Sequence, residues 1–480
     1  MQSLPISQSL YQRARSLVAP VFKVTALELV IQGLGFVIMA IKFRYFGATF
    51  MGLIGYFGAL GELPSAFYSN FNRGLQRFLP TAAPMRRVEI FIATFFFQVV
   101  FLALFFAVLT AIALTIPKWA FWRSHMVLEG GNVGFVVNFT GAIIILILVQ
   151  GVLSSLMSAM HLYLEVQILK LAQCAVQLAA FLALAWMSAG KLKGLWIYYW
   201  MMTGIIVVSS LYMASRAARW LKFKEYFAEL KPGGLRLAIV SVYREQFLPY
   251  TLPKQVTSIL AYVKENIAVI FLGHMGLLAD AAVFNLANKM YGLPRRFLPG
   301  IVSMMLPKLV VLAETNKARF RSKYNDFSWA QFGLHIIAAT ALFAGIPIIR
   351  KLFHVENAPE LTVVFYLFSA NLVINAVGNA NFNIIELSKD MRWYMLSVAV
   401  RIVVLVSINI FLIPRMGNIG ATVALVISTV VVTAMQSWDT RKTELWDWRH
   451  NIWHFLIWIG VAAVWALLFL FFPGTYPLHF

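Results

Sequence analysis

Long apolar segments separated by short polar loops recur along almost the whole chain. Each runs for about 18 to 25 residues, and about 20 helical residues are needed to cross a bilayer core of about 30 Å. The pattern predicts an all-α polytopic membrane protein with about twelve transmembrane helices, or thirteen if the last segment also crosses. We place the spans near residues 21–41, 50–68, 89–116, 136–160, 166–188, 195–215, 247–273, 277–312, 331–352, 361–385, 392–413, 418–437 and 453–472.

The composition supports this interpretation and excludes an ordinary soluble enzyme. Of the 480 residues, 61% are hydrophobic and only 12% are charged, against about 25% charged in a soluble globular chain. The formal net charge is +21, but the basic residues lie in short clusters between spans, which argues against a nucleic-acid partner. These clusters favour every second loop, so the positive-inside rule predicts a cytoplasmic N-terminus.

The longest basic loop, 216–246, divides the first twelve spans into two sets of six. Comparing the halves at an offset of about 226 to 230 residues gives weak repeated matches, for example Phe46-Gly47 with Leu272-Gly273, as in internally duplicated transporters. We therefore predict two six-helix lobes. The domains are a cytoplasmic arm at 1–20, an N-lobe at 21–215, a cytoplasmic basic linker at 216–246, a C-lobe at 247–437, and a charged loop with an extra hydrophobic helix at 438–480.

Ionisable residues within the spans are candidates for function, because each costs about 2.5 to 3.5 kcal/mol on insertion scales. The carboxylates are Glu28, Glu62 and Glu265, and the cations are Lys254, Lys264, Lys289, Arg295, Arg296 and Arg401. Adjacent guanidiniums directly after Pro294, at Arg295 and Arg296, suit a phosphate group. For any single lysine, snorkelling to the membrane surface explains the charge equally well.

A second set of polar residues carries amides and hydroxyls, which could hydrogen-bond a sugar-sized cargo. The candidates for sugar contact are Gln32, Gln150, Ser154, Asn371, Asn375 and Asn379. The same groups also join packed membrane helices, and for the Asn run we favour that interhelical role.

No catalytic constellation is found, so we do not expect an enzyme. There is no G-x-x-x-x-G-K-[ST] loop for ATP, and the single cysteine, Cys174, excludes an intrachain disulfide or a thiolate metal cluster. His450 and His454 have the spacing of a metal pair but lack a carboxylate complement, so we predict no metal site. We expect no cofactor, with a coupling ion, Na+ or H+, left open.

Three motifs resemble one transporter family over residues 20 to 437. They are Arg44-Tyr45-Phe46-Gly47 with Gly52-Leu53-Ile54-Gly55, the Leu298-Pro299 to Leu306-Pro307 stretch, and Ile413-Pro414-Arg415-Met416-Gly417-Asn418-Ile419-Gly420-Ala421. The family is the polysaccharide-transport, O-antigen flippase-like (Wzx-type) branch of the MOP superfamily of multidrug, oligosaccharidyl-lipid and polysaccharide exporters. The resemblance implies two lobes around a central cavity in the bacterial inner membrane, with a cationic lumen at Lys254, Lys264, Lys289, Arg295, Arg296 and Arg401.

The resemblance implies transfer of a polyprenyl-diphosphate-linked oligosaccharide from the cytoplasmic to the outer leaflet by alternating access. In that hypothesis Arg295 and Arg296 hold the diphosphate, while Glu28 and Glu62 pair with the cations or bind a coupling ion. The expected partners are the lipid-linked oligosaccharide, membrane lipids and other glycan-synthesis membrane proteins, and we expect a monomer. The alternatives are a cation-coupled drug or metabolite exporter of the same fold, in which Glu28, Glu62 and Glu265 dominate, and a scaffold without transport activity.

Overall fold

The computed structural model describes residues 6–80, 82–115, 133–160, 162–186, 191–229, 234–294, 316–353, 360–388, 392–441 and 449–471. Every regular element in these ranges is a helix. The α-helices are α1 (Ile6–Phe78), α2 (Pro84–Thr115), α3 (Val133–Ala159), α4 (Tyr163–Trp186), α5 (Lys191–Leu221), α6 (Phe223–Glu229), α7 (Gly234–Val242), α8 (Leu248–His274), α9 (278–294), α10 (Lys317–Ala344), α11 (Ile346–Phe353), α12 (Glu360–Ser388), α13 (Arg392–Thr440) and α14 (Arg449–Phe471), and a π-helix at Tyr243–Phe247 joins α7 to α8.

Seven stretches of the described helices are long and apolar enough to cross a membrane. They are Ala26–Leu60, Tyr163–Leu184, Trp200–Leu221, Lys317–Ala344, Glu360–Asn381, Trp393–Thr440 and His450–Leu468. Helices are the expected spanning form, since every backbone polar group must find its partner inside the segment.

The chain forms two compact units. The first contains Met1–Phe46 and Gly61–Ile259, and the second contains Gly47–Leu60 and Leu260–Phe480. The short segment Gly47–Leu60 therefore packs with the C-terminal unit, although the chain on both sides of it belongs to the first unit. Its start coincides with Gly47, whose φ of 79° breaks α1 at a value that glycine adopts without steric cost.

In the first unit, the basic loop predicted at 216–246 is folded onto the helix ends. The last turns of α5, the short α6 and α7 all bury apolar side chains against α2 and α3. The buried cluster consists of Leu75, Leu79, Val88, Ile90, Ala93, Leu156, Ala159, Ala217, Leu221, Tyr226 and Val242. The sequence predicted a linker here, and the structure adds that it contributes to the core of the first unit.

In the second unit, α13 contains two antiparallel helices that meet at Gly417, where φ is 52°. Two side-chain contacts establish the antiparallel arrangement: Arg401 donates to Thr429, and Gln436 lies 3.5 Å from Ser397. The turn therefore lies between the predicted spans 392–413 and 418–437, as expected.

The C-terminal helix α14 runs antiparallel to α12 along its length. Trp458 donates from Nε1 to the carbonyl of Ala370 at 3.0 Å, and one turn further Tyr366 donates to the carbonyl of Ala462 at 3.2 Å. Because α12 carries a segment long enough to cross the membrane, α14 covers the same thickness. The sequence left open whether 453–472 crosses, and this packing favours a crossing over a helix lying at the surface.

Candidate transport site

The segment Gly47–Leu60 makes backbone-close contacts within the second unit. A Cβ at Gly52 would overlap the carbonyl oxygen of Leu278 at the start of α9. One turn later, a Cβ at Gly55 would lie 2.7 Å from the side-chain nitrogen of Asn285. Near the end of the segment, Tyr262 of α8 donates to the carbonyl of Ala59 at 2.9 Å. The segment thereby packs against both α8 and α9, the two helices that carry several of the predicted cations.

Helices α8 and α9 form an antiparallel pair around a turn at Gly276, where φ is 78°. The glycines with positive φ at the two breaks, Gly47 and Gly276, are 229 positions apart, within the offset range of the internal repeat. Further along the pair, Asn288 donates from Nδ2 to the carbonyl of Glu265 at 3.4 Å. Since Lys264 and Lys289 are the chain neighbours of these two residues, both lysines lie at the same level of the helix pair. Lys264 is half-buried, whereas Glu265 and Lys289 are exposed.

The Asn run on α12 is joined to α9 by a tyrosine. The Tyr291 hydroxyl accepts hydrogen bonds from Nδ2 of Asn371 at 3.2 Å and from Nδ2 of Asn375 at 2.7 Å, and its ring lies 5.3 Å from that of Phe368. Asn371 is fully buried, and Asn379, one turn beyond Asn375, is half-buried. At Asn371 and Asn375 the structure has the interhelical contact that the sequence favoured, while contact with sugar stays a prediction.

Arg401 lies inside the second unit with only 8% of its surface exposed. Its Nη2 donates to the Thr429 hydroxyl at 2.6 Å across the α13 hairpin. Because guanidinium stays charged in proteins and desolvation of a charge is costly, a buried arginine at mid-helix requires compensation from polar groups or from a charged ligand.

The predicted amides, hydroxyl and carboxylates of the first unit lie on α1 and α3. Glu28 of α1 is exposed and Gln32, one turn later, is half-buried; Gln32 Oε1 accepts no hydrogen bond from the described residues. Glu62 is exposed. On α3, Gln150 and Ser154 are half-buried, and the Ser154 hydroxyl contacts the Met213 sulfur at 3.5 Å.

Three predicted cations cannot be placed by their side chains. Lys254 lies on α8, but its side chain is outside the described residues, and Arg295 and Arg296 follow directly after the last described residue of α9. Their assignment to the diphosphate stays a prediction.

The histidine pair at the start of α14 is packed among aromatic rings. The His454 ring stacks on Phe332 with centroids 4.4 Å apart and meets Trp329 edge-on at 4.3 Å. Across the described ranges, no group of three or more His, Cys, Asp or Glu side chains could hold a metal ion.

Sequence reasoning missed two residues that organise these helices. Tyr291 was overlooked because its apolar ring matches the hydropathy of the span, although its position three residues after Asn288 continues a polar stripe on α9. Lys42 was assigned to a loop. The structure places it inside α1, where its ammonium donates to the Tyr198 hydroxyl at 2.6 Å and lies over the rings of Tyr198 and Phe181 at 4.3 and 5.2 Å.

These features define an all-α polytopic membrane protein whose polar groups are concentrated between packed helices. Neither a family model nor a curated protein matches the sequence. Solved structures do match. One is the inward-facing conformation of a multidrug resistance MATE family transporter of the MOP superfamily, at 14% identity and a TM-score of 0.60, covering 90% of this chain and 95% of that one.

A second match is the lipid II flippase MurJ in an inward closed conformation. It has 12% identity and a TM-score of 0.60, and covers 94% of this chain and 99% of that one. At these identities the likeness establishes the fold alone: the chain shares its all-helical fold with these two membrane transporters. The predicted fold class is confirmed, and one of the two neighbours is itself described as a member of the MOP superfamily. The Wzx-type resemblance of this chain stays a prediction.

Proposed function

We propose that this protein is a flippase that moves a polyprenyl-diphosphate-linked oligosaccharide from the cytoplasmic to the outer leaflet during cell-surface polysaccharide synthesis. Its fold is shared by a lipid II flippase, so the architecture is compatible with a lipid-linked cargo. The proposal places the chain in a bacterial inner membrane with its N-terminus in the cytoplasm, consistent with the distribution of basic residues between loops.

The observation that carries the proposal is that Lys264 and Lys289 lie at the same height on two neighbouring helices. A diphosphate cannot enter hydrocarbon without replacement of its hydration, and ammonium or guanidinium groups supply that replacement. The Asn288 to Glu265 contact at 3.4 Å brings two lysine positions to one height on neighbouring helices. Arg401 adds a third cation, buried in the same unit. In the proposal these groups and Lys254 receive the diphosphate together with Arg295 and Arg296.

The sugar part of the cargo would meet amides whose hydrogen-bonding capacity is not fully used by the protein. Gln32 Oε1 and Asn371 Oδ1 have no hydrogen-bond donor among the described residues, and Gln150, Ser154 and Asn379 are half-buried. Asn375 gives one amide hydrogen to Tyr291 and retains acceptor capacity. We propose these six residues as the sugar contacts, and the carboxylates Glu28, Glu62 and Glu265 as counter-ions or ligands of a coupling ion, Na+ or H+.

The test is the accumulation of lipid-linked oligosaccharide in cells that lack the gene. The wild-type gene should clear precursor from the cytoplasmic leaflet, whereas the Arg295→Gln/Arg296→Gln and Lys264→Gln/Lys289→Gln variants should not. Arg319→Gln/Lys323→Gln is the matched control, because it removes two exposed cations from the start of α10. Clearance by all three well-folded double variants would contradict the proposal.

The second candidate is a cation-coupled multidrug or metabolite exporter, and the observation that favours it is the equal TM-score of 0.60 to a MATE transporter. It makes the opposite prediction. Replacing Glu28, Glu62 or Glu265 by Gln should abolish ion-driven efflux, while the lysine double variant should retain it. Efflux assays in vesicles with an imposed Na+ or H+ gradient separate the two functions.

A further inference from the structure

Helix α7 has two dissimilar faces. On one face Ala238 is buried and Val242 belongs to the core cluster of the first unit, with Leu235 and Ile239 packed against that cluster. On the opposite face, which we name the Leu237 face, Leu237 is 72% exposed and Val240 is 42% exposed. Two cations flank this apolar pair: Arg236 is exposed on the same face of α7, and Arg244 is exposed in the π-helix that follows.

The angular spacing of these residues makes the division sharp. At 100° per residue, Arg236, Leu237 and Val240 fall within one third of the circumference of α7, and the four packed residues fall on the other side. Arg244 follows in the π-helix, and its side chain is also exposed. An apolar stripe with arginines at both ends is the pattern of a helix at a membrane interface, with aliphatic side chains among acyl chains and basic groups at the headgroups. A soluble polyanion would bind the arginines but would leave Leu237 and Val240 in water.

The position of α7 beside α2 fixes its depth. Arg86, in the first turn of α2, donates to the Ser241 hydroxyl at 2.9 Å and to the Glu245 carboxylate at 3.0 Å. Three turns further along α2, Phe97 contacts the Tyr243 ring, with centroids 4.8 Å apart. The sequence places the start of this span near residue 89, so α7 lies level with the turns where α2 enters the membrane.

The folded segment that contains α7 has further exposed cations. Arg219 at the end of α5 and Lys224 on α6 are exposed, and the Phe227 side chain of α6 is 53% exposed. Two carboxylates of the same segment are paired with cations: Glu245 with Arg86 at 3.0 Å, and Glu225 with Lys222 at 3.0 Å.

We propose that the Leu237 face is a docking surface for anionic phospholipid. Leu237 and Val240 insert among the acyl chains, while Arg236 and Arg244 bind the phosphate headgroups. The surface anchors the folded segment between α5 and α8 to one leaflet. Only the identity of that leaflet rests on the proposed orientation.

Spin-label accessibility in nanodiscs tests the insertion. A nitroxide is attached to Leu237→Cys in full-length protein carrying Cys174→Ser, in discs of phosphatidylcholine alone or an equimolar mixture with phosphatidylglycerol. We expect collisions with oxygen to exceed collisions with a water-soluble nickel complex at this site, and the excess to grow with phosphatidylglycerol. The control label at Asp326→Cys, whose side chain is 70% exposed and lies 3.7 Å from Lys323, precedes the span predicted near 331–352 and should favour the nickel complex.

Equal nickel accessibility at the two sites would overturn the proposal. If Leu237→Cys does not fold, Val240→Cys probes the same face. Neither spin label reports on transport, so a result that contradicts lipid insertion is distinguishable from one that contradicts the proposed function.

Lipid retention measured by native mass spectrometry tests the headgroup contacts. Arg236→Gln/Arg244→Gln should lower retention of phosphatidylglycerol on the order of fivefold for each arginine, because each basic residue near an anionic surface contributes about 1 kcal/mol. Arg319→Gln/Lys323→Gln, with the same loss of charge, should retain the wild-type level. Equal losses in the two double variants would mean nonspecific charge attraction and would contradict a site at α7.

Discussion

The two units differ in where most of their charged and polar residues lie, although the first unit also has one buried amide pair, Gln98 with Asn72 at 2.6 Å. In the first unit, ion pairs lie on partly exposed surfaces at helix ends, as in Arg86 with Glu89 and Arg216 with Glu165, both at 2.7 Å. In the second unit, polar side chains are buried in the middle of helices. Asn371, Asn381 and Asn409 have no exposed surface.

The contrast indicates that different interactions stabilise the helix packing of the two units. Surface ion pairs contribute about 0 to 1 kcal/mol and are screened by salt, so the first unit depends mainly on its apolar cluster. A buried amide that loses its partner costs about 1 to 3 kcal/mol, so the polar contacts of the second unit select one helix arrangement. Substitutions should therefore have larger effects in the second unit.

The largest effect is expected at Gly52. Replacing it by Val puts side-chain atoms into the carbonyl oxygen of Leu278, and backbone cannot rotate away as a flexible side chain can. We expect a loss at or above the upper end of about 1 to 3 kcal/mol for overpacking, seen as a lower melting temperature and a lower folded yield in detergent.

Gly58→Val is the matched control on the same segment, since a Cβ there meets no described atom within 4 Å. Equal destabilisation by both variants would show that the close approach of Gly47–Leu60 to α9 is not a feature of the folded protein.

A smaller loss of stability is expected when Asn451, which joins α14 to α12 and α13, is replaced. Its Nδ2 donates to Asn381 Oδ1 at 2.9 Å and lies 3.3 Å from the Ser437 hydroxyl. Asn451→Leu leaves the Asn381 oxygen without this donor, which should cost about 1 to 3 kcal/mol of folding stability. The loss should be seen as a lower melting temperature of the purified protein. Trp453→Leu, at a position 60% exposed, should change it little. A tolerated Asn451→Leu would mean that α14 is held by its apolar contacts alone.

The smallest effect is expected at Arg86 in the first unit. Its side chain is 27% exposed and bonds Glu89, Glu245 and Ser241, so Arg86→Gln should cost about 1 kcal/mol or less. The difference in melting temperature from wild type should shrink as salt is raised, because salt screens the charges. A salt-independent loss as large as that of Asn451→Leu would remove the contrast between the units.

Several features of the candidate site follow from local sequence. The Asn371, Asn375 and Asn379 spacing predicts one helical face, and the structure confirms that Asn371 and Asn375 share a partner. The spans predicted at 392–413 and 418–437 leave a break that contains Pro414 and Gly417, and the positive φ of Gly417 confirms this break. Tyr291 was not found in this way, because its apolar ring matches the hydropathy of the span and conceals its place on the polar stripe of α9.

The hydropathy of the sequence by itself determined the fold class and most of the span positions. The reason is that each span must satisfy its own backbone hydrogen bonds in lipid, so the length of its apolar stretch is determined by its own residues. The tertiary structure alone decided which polar residues meet. Tyr291 contacts Asn371 across 80 positions and Asn451 contacts Asn381 across 70. Such partners depend on how helices pack side by side, and helical periodicity specifies a face but not the helix that covers it.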